Sequence, residues 1–391
     1  MNELQTLLKK MIRILVFVED PGAANGMIHL RKEFSEHGID SELVAAKSAS
    51  EYLNAKEINF VNYNDNFLHL LSHRYYDAIL TGTSENPDSI AFQLISEARE
   101  NNIPSFSFVD SVANTEYRFK GRTEHPLAFS PDVIFVTEET CKSSFIELGF
   151  EKSRIIVSGH PLYHYLQTNS RDKEFRTIQS SHFDAAKSSG KFVITFACET
   201  LGGFASGLYH RRPNWTIQGR GKATWMIKIA LEALIDSLLR TKLRDDVFLN
   251  LRLHPKNTED DFFEYIHEVD NIEKNTSSIA TIHSSDLVCG VETSFIIEAA
   301  LHGCPTISIQ PADFITTNLN QTSKALIRQV RSINELERDL TETLVKNDAR
   351  FSNPLADIEV PVNSTNPTTI MAKEILNYLT DTHSTKTLQR Q

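Results

Sequence analysis

Several stretches of this sequence set groups able to bind an anion or move a proton directly after runs that read as β-strands. In GVETSFIIEAALHGCPTISI, Thr293 and Ser294 open a helix that follows a strand. A helix start offers unclaimed backbone N–H groups and the positive end of the helix dipole, and hydroxyls add donors, so phosphate binds there without a glycine-rich loop. Glu298 lies one turn further along the same face, where a carboxylate accepts from ribose hydroxyls. The competing reading makes Thr293 or Ser294 a simple N-cap and Glu298 a solvated helix residue. In LNLRLHPK a strand ends at His254-Pro255. Proline stops the strand and leaves the imidazole at its carboxyl end, placed to donate to a phosphate oxygen or to serve as general acid for a phosphate leaving group. Gly159-His160-Pro161 repeats the pair after the last strand of the first half, at the border of an expected interdomain cleft. A surface or capping role is the alternative for both histidines.

The loop after Ala197, CETLGGFASGLYHRRPNWTIQGRGKATW, is too long and too glycine-rich for a plain connection. Arg211, Arg212, Arg220 and Lys222 fall within it and make a local anion site in an acidic protein, with surface solubility as the alternative. Glu19 and Asp20 after the first strand, and Asp110 after SFSFV, are candidates for the base that deprotonates an acceptor hydroxyl. Charge compensation at a helix start (Glu19) and a turn or cap (Asp110) are the alternatives. The choice among the three stays open, with Asp110 and Asp20 ranked above Glu19. Other chemistries lack their marks. EDPGAANG has the wrong glycine spacing for a dinucleotide fingerprint, and no P-loop, HExxH, GxSxG elbow or Cys/His metal spacing occurs.

These groups need a scaffold that collects strand ends. The first half alternates IRILVFV (Ile12–Val18), SELVAA (Ser41–Ala46), DAILTG (Asp77–Gly82), IPSFSFV (Ile103–Val109), DVIFVT (Asp132–Thr137) and RIIVSG (Arg154–Gly159) with amphipathic stretches. Among these, EDPGAANG reads as a turn and MIHLRKEFSEHG as a helix closing at Gly38. Residues 167–190 lose periodicity and read as a connector. The alternation then restarts with KFVITFA, DVFLNLRLH, DLVCG and PTISIQ as strands. The expected organisation is an N-terminal Rossmann-like acceptor domain over 1–166, a linker over 167–190, a C-terminal Rossmann-like donor domain over 191–382 and a polar tail over 383–391. The last helix is a candidate to pack back on the N-terminal domain. Strand and helix in repeated alternation give parallel sheets covered on both faces, an α/β class of two doubly wound domains facing across a cleft.

The chain has 391 residues, 40% hydrophobic and 23% charged, which suits two globular cores. Its net charge of −11 gives no electrostatic reason to seek nucleic acid, and allows at most a peripheral membrane contact. Ile14–Val18 is too short an apolar run for a signal-peptide core or a membrane span, and the four cysteines show no CxxC pair. A cytoplasmic location is expected.

PDVIFVTEETCKSSFIELGFEKSRIIVSGHPLYHYL (Pro131–Leu166), LRLHPK and SSDLVCGVETSFIIEAALHGCPTISIQP (Ser284–Pro311) resemble GT-B enzymes of bacterial surface-polysaccharide assembly. That superfamily includes the CDP-glycerol glycerophosphotransferases, bacterial sialyltransferases and UDP-N-acetylglucosamine 2-epimerases. The resemblance implies the GT-B fold, with His254, Thr293 and Ser294 at positions that hold donor phosphate and Glu298 at a ribose-binding position. The sialyltransferase-like acidic pair followed by Gly has only partial matches, Glu19-Asp20-Pro21-Gly22 and Asp110-Ser111, and the epimerases' Ser-Gly-Gly stretch is absent. The expected activity is a metal-independent, cofactor-free glycosyltransferase moving a sugar from a nucleotide-sugar donor to a surface-glycan or lipid-linked acceptor. The alternatives are a nucleotide-sugar 2-epimerase or hydrolase, a glycerophosphotransferase, and a non-catalytic nucleotide-sugar-binding module.

Overall fold

The computed structural model describes residues 11–169, 183–201, 209–274, 276–312, 326–346 and 365–388. Most of the expected linker, the Gly202–Leu208 part of the glycine-rich loop and residues 389–391 lie outside the described residues. The chain divides into two compact units, residues 1–164 with 363–391, and residues 165–362.

The first unit holds a seven-stranded sheet in the order β3-β2-β1-β4-β5-β6-β7. Its strands are β1 (Ile12–Val18), β2 (Ile39–Ala45), β3 (Val61–Asn62), β4 (Ala78–Gly82), β5 (Ser105–Val109), β6 (Val133–Val136) and β7 (Ile155–Val157). Every pairing is parallel, with Val18 opposite Ala45, Phe17 opposite Thr81 and Gly82 opposite Phe108. β1 shows why its run is apolar without a break. Ile14, Val16 and Val18 enter one core while Leu15 and Phe17 enter another, so both faces of the pleat are covered. Each such buried side chain is worth about 1.5–3 kcal/mol relative to exposure. The last helix, Pro367–Leu388, supplies Met371, Ala372, Ile375 and Leu379 to the first of these cores, and Thr369 Oγ1 donates to Glu33 Oε1 at 2.6 Å. It runs through Leu388, into the stretch read from sequence as a tail.

EDPGAANG is not a turn but the body of a helix, Pro21–Met27, with Pro at its first position, and a second helix follows at Leu30–Glu36. Its glycines serve close approach. A Cβ on Gly22 would stand 2.4 Å from Asp110 Oδ2, and one on Gly26 2.6 Å from Phe108 Cε1.

The second unit holds a six-stranded parallel sheet in the order β10-β9-β8-β11-β12-β13. The strands are β8 (Phe192–Ala197), β9 (Val247–Arg252), β10 (Asn271–Glu273), β11 (Leu287–Gly290), β12 (Thr306–Ile309) and β13 (Arg328–Val330). The helix Met226–Arg240 buries Ile229, Leu234 and Leu238 in the core that also takes Leu249, Leu251, Leu336 and Leu340. The short strands β3, β10 and β13 were not expected from the sequence. No described helix is long and apolar enough to cross a membrane.

Candidate functional site

In each sheet the strand order reverses once, between β1 and β4 and between β8 and β11. The carboxyl ends at such a reversal open a crevice that helices on opposite faces cannot close. The residues with functional chemistry collect at these two places.

At the β1–β4 reversal, Asp20 occupies the N-cap position of the Pro21–Met27 helix, and Ser84 Oγ, just past β4, donates to its Oδ2. Asp110, just past β5, has a side chain 16% exposed, and Arg118 Nη1 lies 3.4 Å from its Oδ1. Burial raises the Asp110 carboxyl above its usual range; Arg118 opposes this, and Asp20 and Glu85 add to it. Arg118 also reaches Glu85 at 3.5 Å and donates to the Ala113 carbonyl at 3.2 Å, while its buried Nε has no partner among the described residues. Asn114, in a left-handed conformation, donates to Glu85 at 3.0 Å. The result is a carboxyl group with a raised proton affinity beside a fixed guanidinium, a suitable arrangement for proton transfer.

Glu19 has a different task. It is buried, and its Oε2 accepts the Ile90 N–H at 3.1 Å and meets Lys47 Nζ at 3.1 Å. Ile90 opens the Ile90–Glu100 helix, so Glu19 compensates that helix start and is not brought forward as a base. His160 also departs from its expected role as a phosphate ligand. It belongs to the first unit, buried, with its ring stacked on Tyr163 at 4.0 Å and edge-on to Phe108 at 5.5 Å. Burial, with His29 adding, lowers it to about 3, so it stays neutral at physiological pH and supplies no cation for a phosphate.

At the β8–β11 reversal, Thr293 is the N-cap of the helix Ser294–Leu301 and accepts the Phe295 N–H at 3.4 Å. Ser294 is exposed at the first helical position. Among the described residues no acceptor takes the N–H of Thr293 or Ser294. The N-cap reading is therefore correct for Thr293 and compatible with an open anion seat. Glu298 is buried rather than solvated, and Ser278 Oγ donates to its Oε1 at 3.1 Å. His254, half-buried after β9, accepts the Lys256 N–H at Nδ1 (3.1 Å), which fixes Nε2 as the protonated nitrogen of the neutral ring. β8 lies between β9 and β11, so His254 and Thr293 follow the two strands that pair with β8 on either side.

The basic loop divides. Trp215 and Ile217 anchor it in the core, and Thr216 and Ile217 donate their N–H groups to the Pro311 carbonyl, past the end of β12. Arg220 pairs with both Asp236 and Glu268 and its charge is neutralised within the unit; its N–H goes to the buried Glu232 at 2.7 Å. Arg212 and Lys222 are exposed. Arg211 donates Nη1 to the Gly221 carbonyl at 2.8 Å, and its buried Nε and Nη2 have no partner among the described residues, donors that an anion would satisfy.

Solved structures of similar fold cover nearly the whole chain. A UDP-GlcNAc 2-epimerase from Neisseria meningitidis bound to UDP-GlcNAc is similar over 94% of this chain and 100% of its own, with TM-score 0.63 and 16% identity. Anabaena Alr3699/HepE in complex with UDP and glucose gives 95%, 100%, 0.62 and 12% in the same order. A glycosyltransferase from Rickettsia africae ESF-5 gives 95%, 98%, 0.58 and 13%. The chain has the GT-B fold. No protein-family model matches it, and no curated protein matches it.

Within this GT-B chain, sequence reasoning missed Ser84, Glu85, Arg118, Glu199 and Glu292. Ser84-Glu85, Glu199 and Glu292 all stand within three residues of a strand's carboxyl end, the signal that singled out Asp110 and Thr293.

Proposed function

We propose that this protein is a glycosyltransferase that takes a sugar from a nucleotide-sugar donor bound by the second unit. The open pair of N–H groups at Thr293 and Ser294, at the strand-order reversal of the second sheet, carries this reading. The donor's phosphates sit at that helix start, His254 Nε2–H donates to the leaving oxygen, and Arg211 adds charge. Glu298 accepts from the ribose hydroxyls. Helix start, imidazole and guanidinium together neutralise the leaving phosphate, so the reading requires no divalent ion or other cofactor. Asp110 takes the proton of an acceptor hydroxyl as that oxygen attacks the anomeric carbon and the C–O bond to phosphate breaks; Asp20 is the neighbouring carboxylate. The acceptor is a surface glycan or lipid-linked sugar, and the work is done in the cytoplasm.

A second reading is favoured by one observation. Asp110 with a raised proton affinity stands near Asp20 and Glu85, a set able to remove and return protons on one sugar, as a 2-epimerase must. The similar folds of 2-epimerases agree with it.

Incubation with UDP-, GDP-, CMP- and CDP-linked donors, with and without crude acceptor and with EDTA present, separates the readings. Transfer predicts nucleotide release that depends on acceptor and survives EDTA. Inversion at C2 of donor incubated alone contradicts it and supports epimerisation. Binding without turnover of any donor contradicts both.

A further inference from the structure

The β8–β11 reversal also holds two carboxylic acids that phosphate binding by Thr293 and Ser294 does not explain. Glu199 lies two residues beyond β8, and Glu292 immediately precedes the N-cap Thr293. The Glu292 N–H donates to Glu199 Oε1, so a side chain of the protein occupies one of the donors at the mouth of the Ser294–Leu301 helix. Asn257, 1% exposed, fixes Glu199 there: its Nδ2 donates to the Glu199 carbonyl at 2.7 Å and its Oδ1 accepts the Leu201 N–H at 3.1 Å. On the other side, Gln310 Nε2 donates to Glu292 Oε1 at 3.3 Å. Gln310 is 1% exposed, and among the described residues its Oε1 has no partner, an acceptor left over at this site.

The charged and titratable groups on the surrounding elements are few. Lys228, in the Met226–Arg240 helix, pairs with Glu264 at 2.8 Å, and Arg252, at the end of β9, pairs with Glu273 at 2.7 Å. His254 and Lys256 stand in the turn after β9, and Lys274 donates to the Asn257 carbonyl at 2.6 Å. The buried Cys198 thiol is held protonated. Burial first, and the Glu292 carboxylate second, push Glu199 up to about 8, with the Glu292 N–H opposing them. Its Oε1 holds the backbone N–H, so near neutral pH Oε2 carries the proton.

We propose that Glu199 is a proton-dependent phosphate ligand, whose neutral carboxyl group donates its O–H to a phosphate oxygen of a nucleotide seated at the start of the Ser294–Leu301 helix and whose ionised form repels that phosphate. The inference rests on the nucleotide site proposed above and adds to it a residue and a pH dependence. An O–H donated to an anionic oxygen makes a short, charge-assisted bond, whereas a second carboxylate beside the phosphate adds like charge in a medium that screens poorly.

Calorimetric titration of the full chain with UDP, GDP, CDP and CMP between about pH 7 and about pH 9.5 tests this, a window above the nucleotides' own phosphate titration near pH 6. The Kd of whichever nucleotide binds is expected to rise about tenfold per pH unit above about pH 8, with about one proton taken up per nucleotide bound there. Proton uptake is read from the dependence of binding heat on buffer ionisation. Glu199→Gln keeps an N–H donor at every pH, and is expected to hold the neutral-pH affinity within about threefold and to abolish the slope. A flat wild-type profile, or a slope that survives in Glu199→Gln, overturns the proposal. If Glu199→Gln does not fold, proton counting on the wild-type chain decides alone. Tight binding with no pH dependence removes only the role of Glu199; no nucleotide binding at any pH removes the nucleotide site with it.

Discussion

At the β1–β4 reversal, Asp20, Glu85 and Asp110 surround Arg118, a permanent cation 7% exposed. At the β8–β11 reversal, Glu199 and Glu292 stand beside open backbone N–H groups, and the neighbouring Lys228 and Arg252 are paired to other acids. Both places arise from the same topology, and both raise the proton affinity of one carboxyl group. They differ in what stabilises negative charge. In the first unit a guanidinium opposes the rise that burial imposes on Asp110. In the second, backbone N–H groups stand beside an acid of the protein whose own pKa is raised to about 8. The same topology thus places a buried Arg–carboxylate cluster after β5 and a helix start with unclaimed N–H groups after β11, and the proposed function assigns proton transfer to the first and anion binding to the second.

Substitutions at the two places should therefore affect different parameters. Asp110→Asn is expected to lower kcat by about 10³-fold while the nucleotide Kd changes less than about twofold, measured by steady-state kinetics and calorimetry. An equal loss in affinity would erase the distinction between the two reversals. His254→Ala is expected to lower turnover about 100-fold with an unchanged circular dichroism spectrum. Wild-type rates in that variant would remove His254 from the mechanism.

The smallest effect is on stability. A Glu whose folded pKa is about 8 against a reference of 4.5 costs nothing below pH 4.5, where both states are protonated. As pH rises from there to about 8 the unfolded chain ionises and the folded one does not, so stability falls; above that it levels off. Glu199→Gln removes this burden. Its Tm should exceed the wild type's by about 2–4 °C near pH 8.5, and the gap should close near pH 4.5. A lower Tm at pH 8.5 would mean that Glu199 is ionised and held by a cation.

Much of the architecture was legible because continuous β-branched runs alternate with amphipathic ones, and a run buried on both faces, such as Ile14–Val18, has no other comfortable place. β3, β10 and β13 span only two or three residues, too short for any period to show. Gly22 and Gly26 read as turn residues because the reason for their small size lies on β5 and just beyond it, far along the chain. The same distance hid part of the site. Nothing local shows that Glu19 serves Ile90, 71 residues away, or that Glu199 meets Glu292, 93 residues away. Asp110 and Thr293 drew attention because each stands within three residues of a buried strand's carboxyl end, and of the two readings of Thr293 the N-cap is the one the structure shows. His160 has that position too, and only its burial against Phe108 and Tyr163 shows that it carries no charge.

In the proposed function a nucleotide's phosphates dock where the Ser294–Leu301 helix begins. A crystal structure of the chain with UDP or CDP bound tests it most directly. Phosphate oxygens are expected within hydrogen-bond distance of the Thr293 and Ser294 N–H groups, with His254 Nε2 turned toward the terminal phosphate. A nucleotide bound elsewhere, with that helix start facing only solvent, would contradict it.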